Sequence, residues 1–423
     1  MSKTPKSTQE EAEENFGAAA HERPVPRISI HVFNEFPDTA VAVQRAAADR
    51  RFSKAHIEVH PGGIAAAVQH YHGHATPNLL VVETRSEGEA VLAELESLAD
   101  VCDEATKVLV IGRSNDVHLY RELVRRGISE YLVAPLDPLH LIETISGLYT
   151  KPDAPPIGRV VAFIGARGGV GSSTIAQNVG WYIAEGLKVG TTIIDFDLPF
   201  GTAGLNFNED SGQGVADALA APERLDDVLL DRLLIKCGEH LSLFAAPALV
   251  DRIYEAEAAA YETVIDQVRG TAPCVIVDLP HVWSAWMRQT LLAADEIVVV
   301  ATPDLASLRN AKNIVDLVRS QRPNDALPRL VLNQTGVHKR PEIPVKEFAA
   351  ALGLEPSLAI PFDPHLFGTA ANNGQMLAEV QIDARAAEDI RHLAGLVTGR
   401  AVERVAKKSS FSFLPFLSQR KAG

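Results

Sequence analysis

The sequence predicts an α/β protein of two doubly wound domains, each a parallel sheet with helices on both faces. Short apolar runs alternate with amphipathic stretches in two separate series, over residues 27–150 and 159–402. The segment 151–158 between them is rich in proline and has no periodicity, which indicates a linker. Residues 1–26 and 403–423 are expected to form a disordered N-terminal tail and a basic, aromatic C-terminal tail.

The amino-acid composition argues against several classes of protein. The 423 residues include 40 Lys plus Arg and 54 Asp plus Glu, a net charge of −14, which argues against a broad basic surface for nucleic acid. Cys102, Cys237 and Cys274 lie far apart, which excludes a disulfide scaffold and a zinc finger. No apolar run of about 18 residues and no apolar leader occurs, so we expect a cytoplasmic protein. Because of the negative net charge, we expect no nucleic-acid partner.

The first series contains five candidate strands separated by helix-like segments. The strands are expected at 27–33, 56–60, 78–83, 107–112 and 130–135, and two of the helices at 88–99 and 118–127. Five strands alternating with helices predict a doubly wound parallel sheet.

The order and size of this series resemble a response-regulator receiver domain of flavodoxin-like fold, including the apolar run that ends at Ala134-Pro135. A working receiver needs an acceptor Asp after the third strand, acidic Mg²⁺ ligands after the first, and a Lys after the fifth. Those places hold Glu83, Asn34–Glu35 and Ala134. We therefore expect a degenerate receiver used for docking or dimerisation, and leave open whether Glu83 imitates the phosphorylated state.

The second series opens with a glycine-rich loop between an apolar strand, 160–164, and an amphipathic helix, 175–185. Glycines let backbone amides approach an anion, and a helix N-terminus adds positive partial charge. Compared with a P-loop, Ser172 replaces the phosphate-binding Lys, whereas Ser173 keeps the hydroxyl that ligates Mg²⁺. The residues expected to cradle phosphate are Arg167, Gly168, Gly169, Val170, Gly171, Ser172, Ser173 and Thr174.

Polar residues end three later apolar strands. The run 191–195 leads to Asp195 and Asp197, the run 274–279 contains Asp278 in a Walker B arrangement, and the run 329–335 contains Asn333. Carboxylates at strand ends suit a metal and its waters, and an amide can pair with an adenine edge. Together with the glycine loop, they predict a nucleotide site.

These spacings resemble the deviant Walker A family of MinD and ParA ATPases. The resemblance implies ATP and Mg²⁺ as cofactors, with Mg²⁺ held by Ser173 and Asp278. It also implies that Asp197, with Asp195, positions the attacking water, and that Asn333 and Pro361 contact the nucleotide. Arg167 occupies the place of the signature Lys that crosses an ATP-sandwiched dimer, and its planar charged fork suits phosphate.

A narrower resemblance is to the TadZ/CpaE family, carried by the segments 195–208, 278–313 and 360–376 and by the receiver-like half. It implies a homodimer, formed through both domains, that localises or organises Flp (type IVb, tight-adherence) pilus assembly. The implied partners are pilus secretion proteins, at the cell pole or the inner membrane face. With Ser172 in place of Lys, we expect slow ATP hydrolysis. Positioning of a septum, a flagellum or DNA, or a non-hydrolysing scaffold, remains the alternative.

Two further patterns are less specific. The C-terminal tail places phenylalanines and leucines between cations, which suits weak contact with an anionic membrane surface, but Pro415 interrupts any helix there. A floppy tail is the other interpretation. His70, His72 and His74 alternate along the chain, and we interpret them as surface histidines rather than as a metal site.

Overall fold

The structure is a computed structural model that describes residues 24–150, 157–209, 213–251 and 253–400. Most of the N-terminal tail and all of the C-terminal tail, with its predicted membrane contact, lie outside the described residues. Within them, no helix combines the length and the apolar character that crossing a bilayer requires. Two β-sheets organise the chain.

The first sheet has five parallel strands in the order β2-β1-β3-β4-β5. The strands are β1 Ser29–Asn34, β2 His56–Pro61, β3 Leu79–Glu83, β4 Lys107–Gly112 and β5 Glu130–Val133. The helices are α1 Pro37–Ala47, α2 Gly63–Tyr71, α3 Glu89–Ala99, α4 Val117–Arg125 and α5 Pro138–Leu148, with a 3₁₀ turn at Arg50–Phe52. This strand order is the flavodoxin-like arrangement.

The second sheet has eight strands in the order β13-β12-β11-β6-β10-β7-β9-β8, and only β8 is antiparallel to its neighbour. The strands are β6 Arg159–Gly165, β7 Thr191–Asp195, β8 Ile235–Lys236, β9 Leu241–Phe244, β10 Cys274–Leu279, β11 Glu296–Ala301, β12 Arg329–Thr335 and β13 Pro356–Pro361. The predicted fold class, two doubly wound α/β domains, is confirmed.

Helices cover both faces of the second sheet. They are α6 Ser172–Trp181, α7 Ala203–Asn206, α8 Val215–Ala220, α9 Asp227–Leu233, α10 Ala258–Thr271, α11 Ala285–Ala293, α12 Leu305–Gln321, α13 Val345–Leu352, α14 Pro364–Asn373, α15 Leu377–Val380 and α16 Arg385–Thr398. A π-helical segment, Tyr182–Gly186, continues α6 where the sequence predicted α-helix to residue 185.

Burial on both faces of the sheet explains why the central strands are unbroken apolar runs in the sequence. Every residue of β10 and of β11 is buried, because helices pack on both faces of a parallel sheet. Two apolar clusters, one on each face, contain Phe163 and Phe244 among their fully buried members. The carboxyl ends of the parallel strands meet at one edge, and the polar strand-end residues collect there.

The two domains meet at the opposite edge of the second sheet. Arg50, in the 3₁₀ turn of the first domain, donates from Nε to Asp325 over 2.8 Å and from Nη1 to Asp295 over 3.0 Å. Arg51 also pairs with Asp325, and all four side chains are at least 90% buried. Because buried charges are costly unless paired, this ionic junction fixes one position of the domains relative to each other.

Candidate functional site

The glycine-rich loop joins the carboxyl end of β6 to the N-terminus of α6. Gly169 and Gly171 have φ of 80° and 88°, a left-handed conformation that favours glycine. A Cβ atom on Gly171 would lie 2.6 Å from Nδ2 of Asn333, so any side chain there would displace the amide group of Asn333. The loop therefore needs glycine both for its backbone conformation and for its close approach to the neighbouring strand.

Side chains from three other segments hold the carbonyl groups of this loop. Asn333 donates to Val170 O over 2.8 Å, and Gln334 to Gly169 O over 3.0 Å. Asn310 donates to Ala166 O over 2.8 Å, and His281 Nδ1 lies 3.1 Å from Gly165 O. Because the C=O and N–H of one trans peptide point in opposite directions, the following N–H groups, those of Arg167, Val170 and Gly171, are turned away from these side chains.

Asp278 and Ser173 lie together below the loop. Ser173 donates a hydrogen bond to the Asp278 carboxylate, whose Oδ1 is buried without a partner. Burial and the nearby Asp195 carboxylate raise the pKa of Asp278 well above its usual value. A buried carboxylate oxygen without a partner, beside a hydroxyl, fits a hard divalent cation such as Mg²⁺.

Asp195 and Asp197 have different surroundings. Asp195 is buried and accepts hydrogen bonds from the backbone N–H of Asp197 over 3.0 Å and of Ala203 over 3.2 Å. Burial raises its pKa to about 6. Asp197 is half-buried, accepts a 3.3 Å hydrogen bond from the backbone N–H of Phe200, and also has a pKa raised by burial. Asp195 thus supports the turn after β7, and a catalytic role for either residue stays a prediction.

Arg167 lies on the exposed side of the loop, next to the N-terminus of α12. Its guanidinium is 3.5 Å from Oδ2 of Asp304, and half of its side chain is exposed. Burial raises the pKa of Asp304, but hydrogen bonds from Ser307 and Thr302 together with Arg167 outweigh it and hold that pKa below its usual value. The exposed ion pair is weak, so Arg167 is available for another anion.

An apolar cavity of about 430 Å³ adjoins the same side of the loop, between the segment after β10 and α12. Its lining includes Ala166, Val282, Trp283, Met287 and Ile314. Trp283 and Val282 are each more than half exposed. The surface around Arg167 therefore combines a cation with exposed apolar side chains.

The remaining strand-end residues lie at the same edge. Asn333 is buried, and its amide nitrogen is used by the loop, so adenine recognition by Asn333 stays a prediction. Pro361 ends β13 opposite Thr335 of β12. Ser172 begins α6, and its hydroxyl is buried without a partner. Ser173 and Thr174 follow it in the first turn of the helix.

The corresponding edge of the first sheet is closed by Glu83. Its Oε2 accepts hydrogen bonds from the backbone N–H of Glu35 over 2.8 Å and of Phe36 over 2.9 Å, and its Oε1 accepts one from Thr39 Oγ1 over 2.7 Å. Glu83 is 1% exposed. Its carboxylate therefore fixes the loop after β1, which fits the predicted degenerate receiver.

Three residues that shape the loop from outside were not predicted from the sequence. Asn310, His281 and Gln334 each act on a loop carbonyl from a distant part of the chain. Gln334 has a left-handed φ of 55°, and no signal in the sequence distinguishes it.

Comparison with known proteins places these features in a family. The sequence model of the family "Cellulose biosynthesis protein BcsQ" matches residues 159–333. The septum site-determining protein MinD of Helicobacter pylori is 26% identical over 60% of this chain and 97% of its own length. MinD of Synechocystis is 25% identical over 39% of this chain, and the alignment spans only 61% of that protein.

Similar solved structures include the following three. The pilus assembly protein CpaE of Caulobacter crescentus is 50% identical over 30% of this chain and 98% of its own, with a TM-score of 0.30. A ParA family ATPase of Chlorobium tepidum is 26% identical over 56% of this chain and 98% of its own, with a TM-score of 0.52. MinD of Pyrococcus horikoshii, solved with Mg-ADP, is 18% identical over 57% of this chain and 96% of its own, with a TM-score of 0.51, which shows the fold alone.

Proposed function

This chain belongs to the CpaE-type branch of the MinD/ParA family of ATPases, and on that premise we propose that it binds ATP with Mg²⁺ to organise a pilus assembly machine. The observation that carries nucleotide binding is the partnerless Oδ1 of Asp278 below a loop whose carbonyls are held from behind. Such a site fits a divalent cation together with a phosphate group.

The loop would bind phosphate through backbone amides rather than through a lysine. The N–H groups of Val170 and Gly171, together with the N-terminus of α6, supply positive partial charge at fixed positions. Ser173 and Asp278 would hold Mg²⁺, which neutralises phosphate charge when bound. Asn333 and Pro361 would lie beside the base, and Asp197 would orient water, assisted by the turn that Asp195 holds.

Dimerisation would complete the site. Arg167 is exposed and paired only weakly with Asp304, so its fork can reach a phosphate bound to a second copy. The apolar cavity beside it, with exposed Trp283, gives the same surface an apolar contact area. Binding of ATP between two copies would therefore convert the monomer into a dimer.

Hydrolysis would be slow. Ser172 is 9% exposed and places no charge near the phosphates, so one stabilising cation of the transition state is missing. A nucleotide-bound scaffold that does not hydrolyse ATP is the second candidate, and the same substitution favours it. A turnover assay separates the two.

The cellular role rests on the 50% identity with CpaE of Caulobacter crescentus, a pilus assembly protein. We propose that the chain acts in the cytoplasm, at the pole or inner membrane face, on the secretion proteins of a Flp pilus. In the native bacterium, Asp278→Asn at the chromosomal locus is expected to abolish surface pili and disperse a fluorescent fusion. Normal piliation in that strain would exclude a nucleotide-dependent role in assembly.

Nucleotide binding is tested by an equilibrium ATP titration with and without Mg²⁺. Wild type is expected to bind ATP at least tenfold more tightly with Mg²⁺, and Asp278→Asn should lose that difference. Asp316→Asn, a substitution of the exposed α12 acid that pairs with Lys312, is the matched control and should behave as wild type. Absence of ATP binding at millimolar concentration in wild type would refute the proposal.

A further inference from the structure

A second cluster of ligand-type side chains lies in the first domain, far from the glycine loop. His31 of β1 pairs in register with Glu58 of β2, and Phe33 with His60, so these side chains share one face of the sheet. One ligand atom each from His31, Glu58 and His60 lies within 4.8 Å of the other two. β2 is the edge strand, so the cluster lies at the border of the sheet.

Each of the three side chains presents a suitable atom to a common point. His31 Nδ1 lies 2.7 Å from the hydroxyl of Tyr71, which leaves Nε2 directed to Glu58 Oε1 at 3.9 Å. His60 Nε2 is shielded from solvent and makes no hydrogen bond, although Glu58 Oε2 is 3.4 Å away. Glu58 also contacts His56 Nε2 at 3.2 Å.

We propose that His31, Glu58 and His60 form a binding site for a divalent transition metal of the Zn²⁺ class. Two imidazoles and one carboxylate are the donors that Zn²⁺ accepts, whereas Mg²⁺ and Ca²⁺ prefer oxygen alone. Donor atoms on metal bonds of about 2.1 Å lie roughly 3.4 Å apart in a tetrahedral site. Glu58 Oε2 is 3.4 Å from His60 Nε2 and Glu58 Oε1 is 3.9 Å from His31 Nε2, so the carboxylate is already close to the separations that ligation requires.

The surroundings match a metal site in two further ways. The contact from Tyr71 to the second ring nitrogen of His31 is the outer-shell contact that orients a ligating histidine. His70 lies beside the cluster, with its ring centroid 5.4 Å from that of His60, and is the nearest candidate for a fourth ligand.

The test uses the full chain without an affinity tag, dialysed against buffered micromolar Zn²⁺ in excess Mg²⁺ and measured for bound zinc. Wild type is expected to retain about one zinc per chain more than Glu58→Gln, and Co²⁺ should give the visible absorption of a low-coordinate site. Tyr71→Phe is expected to weaken binding about tenfold while keeping the stoichiometry. His72→Ala, a substitution of an exposed neighbour, is the matched control and should bind as wild type.

Two outcomes would overturn the proposal: equal zinc content in wild type and Glu58→Gln, or binding by wild type only above about 100 μM free Zn²⁺. His60 stacks on Phe33, with ring centroids 4.9 Å apart, so His60→Ala could disturb packing. Glu58→Gln avoids this, because Glu58 is 44% exposed on its side chain and the variant keeps its shape. Far-ultraviolet circular dichroism of each variant checks the fold.

Discussion

Asn333 donates a 2.8 Å hydrogen bond from Nδ2 to the carbonyl oxygen of Val170, so the end of β12 holds the glycine loop in place. The same residue favours glycine at position 171, because its amide lies 2.6 Å from where a Cβ atom would be. One side chain therefore contributes both to the conformation of the loop and to the choice of residue at position 171.

Asn333→Ala is expected to weaken ATP binding by about tenfold, because Val170 O loses its donor and the loop is no longer pre-organised. If Asn333 acts only on the loop, ATP and GTP affinities should fall equally. If it also reads adenine, preference for ATP over GTP should be lost. Competition titrations with both nucleotides measure this, and Gln334→Ala, which removes a more exposed loop contact, should have the smaller effect.

Arg167→Ala is expected to abolish ATP-dependent dimerisation, because the guanidinium group that reaches the phosphate of the second copy is lost. Asp304→Asn is the matched substitution, since it removes the partner of Arg167 while asparagine still caps α12. That variant should dimerise at least as strongly as wild type. Light scattering with and without ATP makes the comparison, and an unchanged mass shift in Arg167→Ala would contradict the cross-dimer role.

Ser172→Lys is expected to raise the turnover number by about a hundredfold, the usual effect of one charge-stabilising group in a transition state. Ser172→Ala should change it little, because the hydroxyl makes no hydrogen bond. A steady-state phosphate-release assay compares the three proteins. Fast turnover by wild type, abolished in Asp278→Asn, would show that another group already replaces the lysine.

Asp278→Asn is expected to stabilise the nucleotide-free protein at pH 7. Burial raises the pKa of Asp195 to about 6 and that of Asp278 well above its usual value, so the folded chain retains protons that the unfolded chain releases. The free energy of unfolding then falls as the pH rises from about 4 through about 6 because of Asp195, and Asp278 adds a fall that also begins near pH 4. Urea unfolding at pH 5 and pH 7 should show a smaller fall in the variant, and an unchanged fall would show that Asp278 is already ionised.

Glu83 is expected to take up no phosphate from a small phosphodonor, because three hydrogen bonds already occupy its carboxylate. Glu83→Ala should instead lower the stability of the protein by about 1–3 kcal/mol, since it leaves buried donors unpaired. Mass spectrometry under mild acid and chemical unfolding test the two statements. Stoichiometric labelling of residue 83 would show a working receiver.

The strands and their ends could be predicted from the sequence, because each strand is an apolar run and a polar residue marks its end. Asp195, Asp278 and Asn333 each end an apolar run, and parallel strands must bring such ends to one edge. The predicted grouping of these residues with the glycine loop follows from topology alone.

The rest depends on contacts between residues far apart in the chain. Asn310 is hydrogen-bonded to Ala166, which lies 144 residues away in the sequence, and Arg50 to Asp325, which lies 275 residues away. The periodicity of apolar residues carries no information about contacts over such sequence separations. The histidines illustrate the same limit. The visible pattern is His70, His72 and His74, whereas strand register joins His31 to Glu58 and His60.

The ionic junction of Arg50 with Asp295 and Asp325 has a geometric consequence for any dimer formed across ATP. It lies at the amino ends of the strands, and the nucleotide edge lies at their carboxyl ends, so two copies joined at that edge would carry their first domains on opposite outer ends. Contacts made by the nucleotide edge of such a dimer would therefore be separate from any contacts that its first domains make.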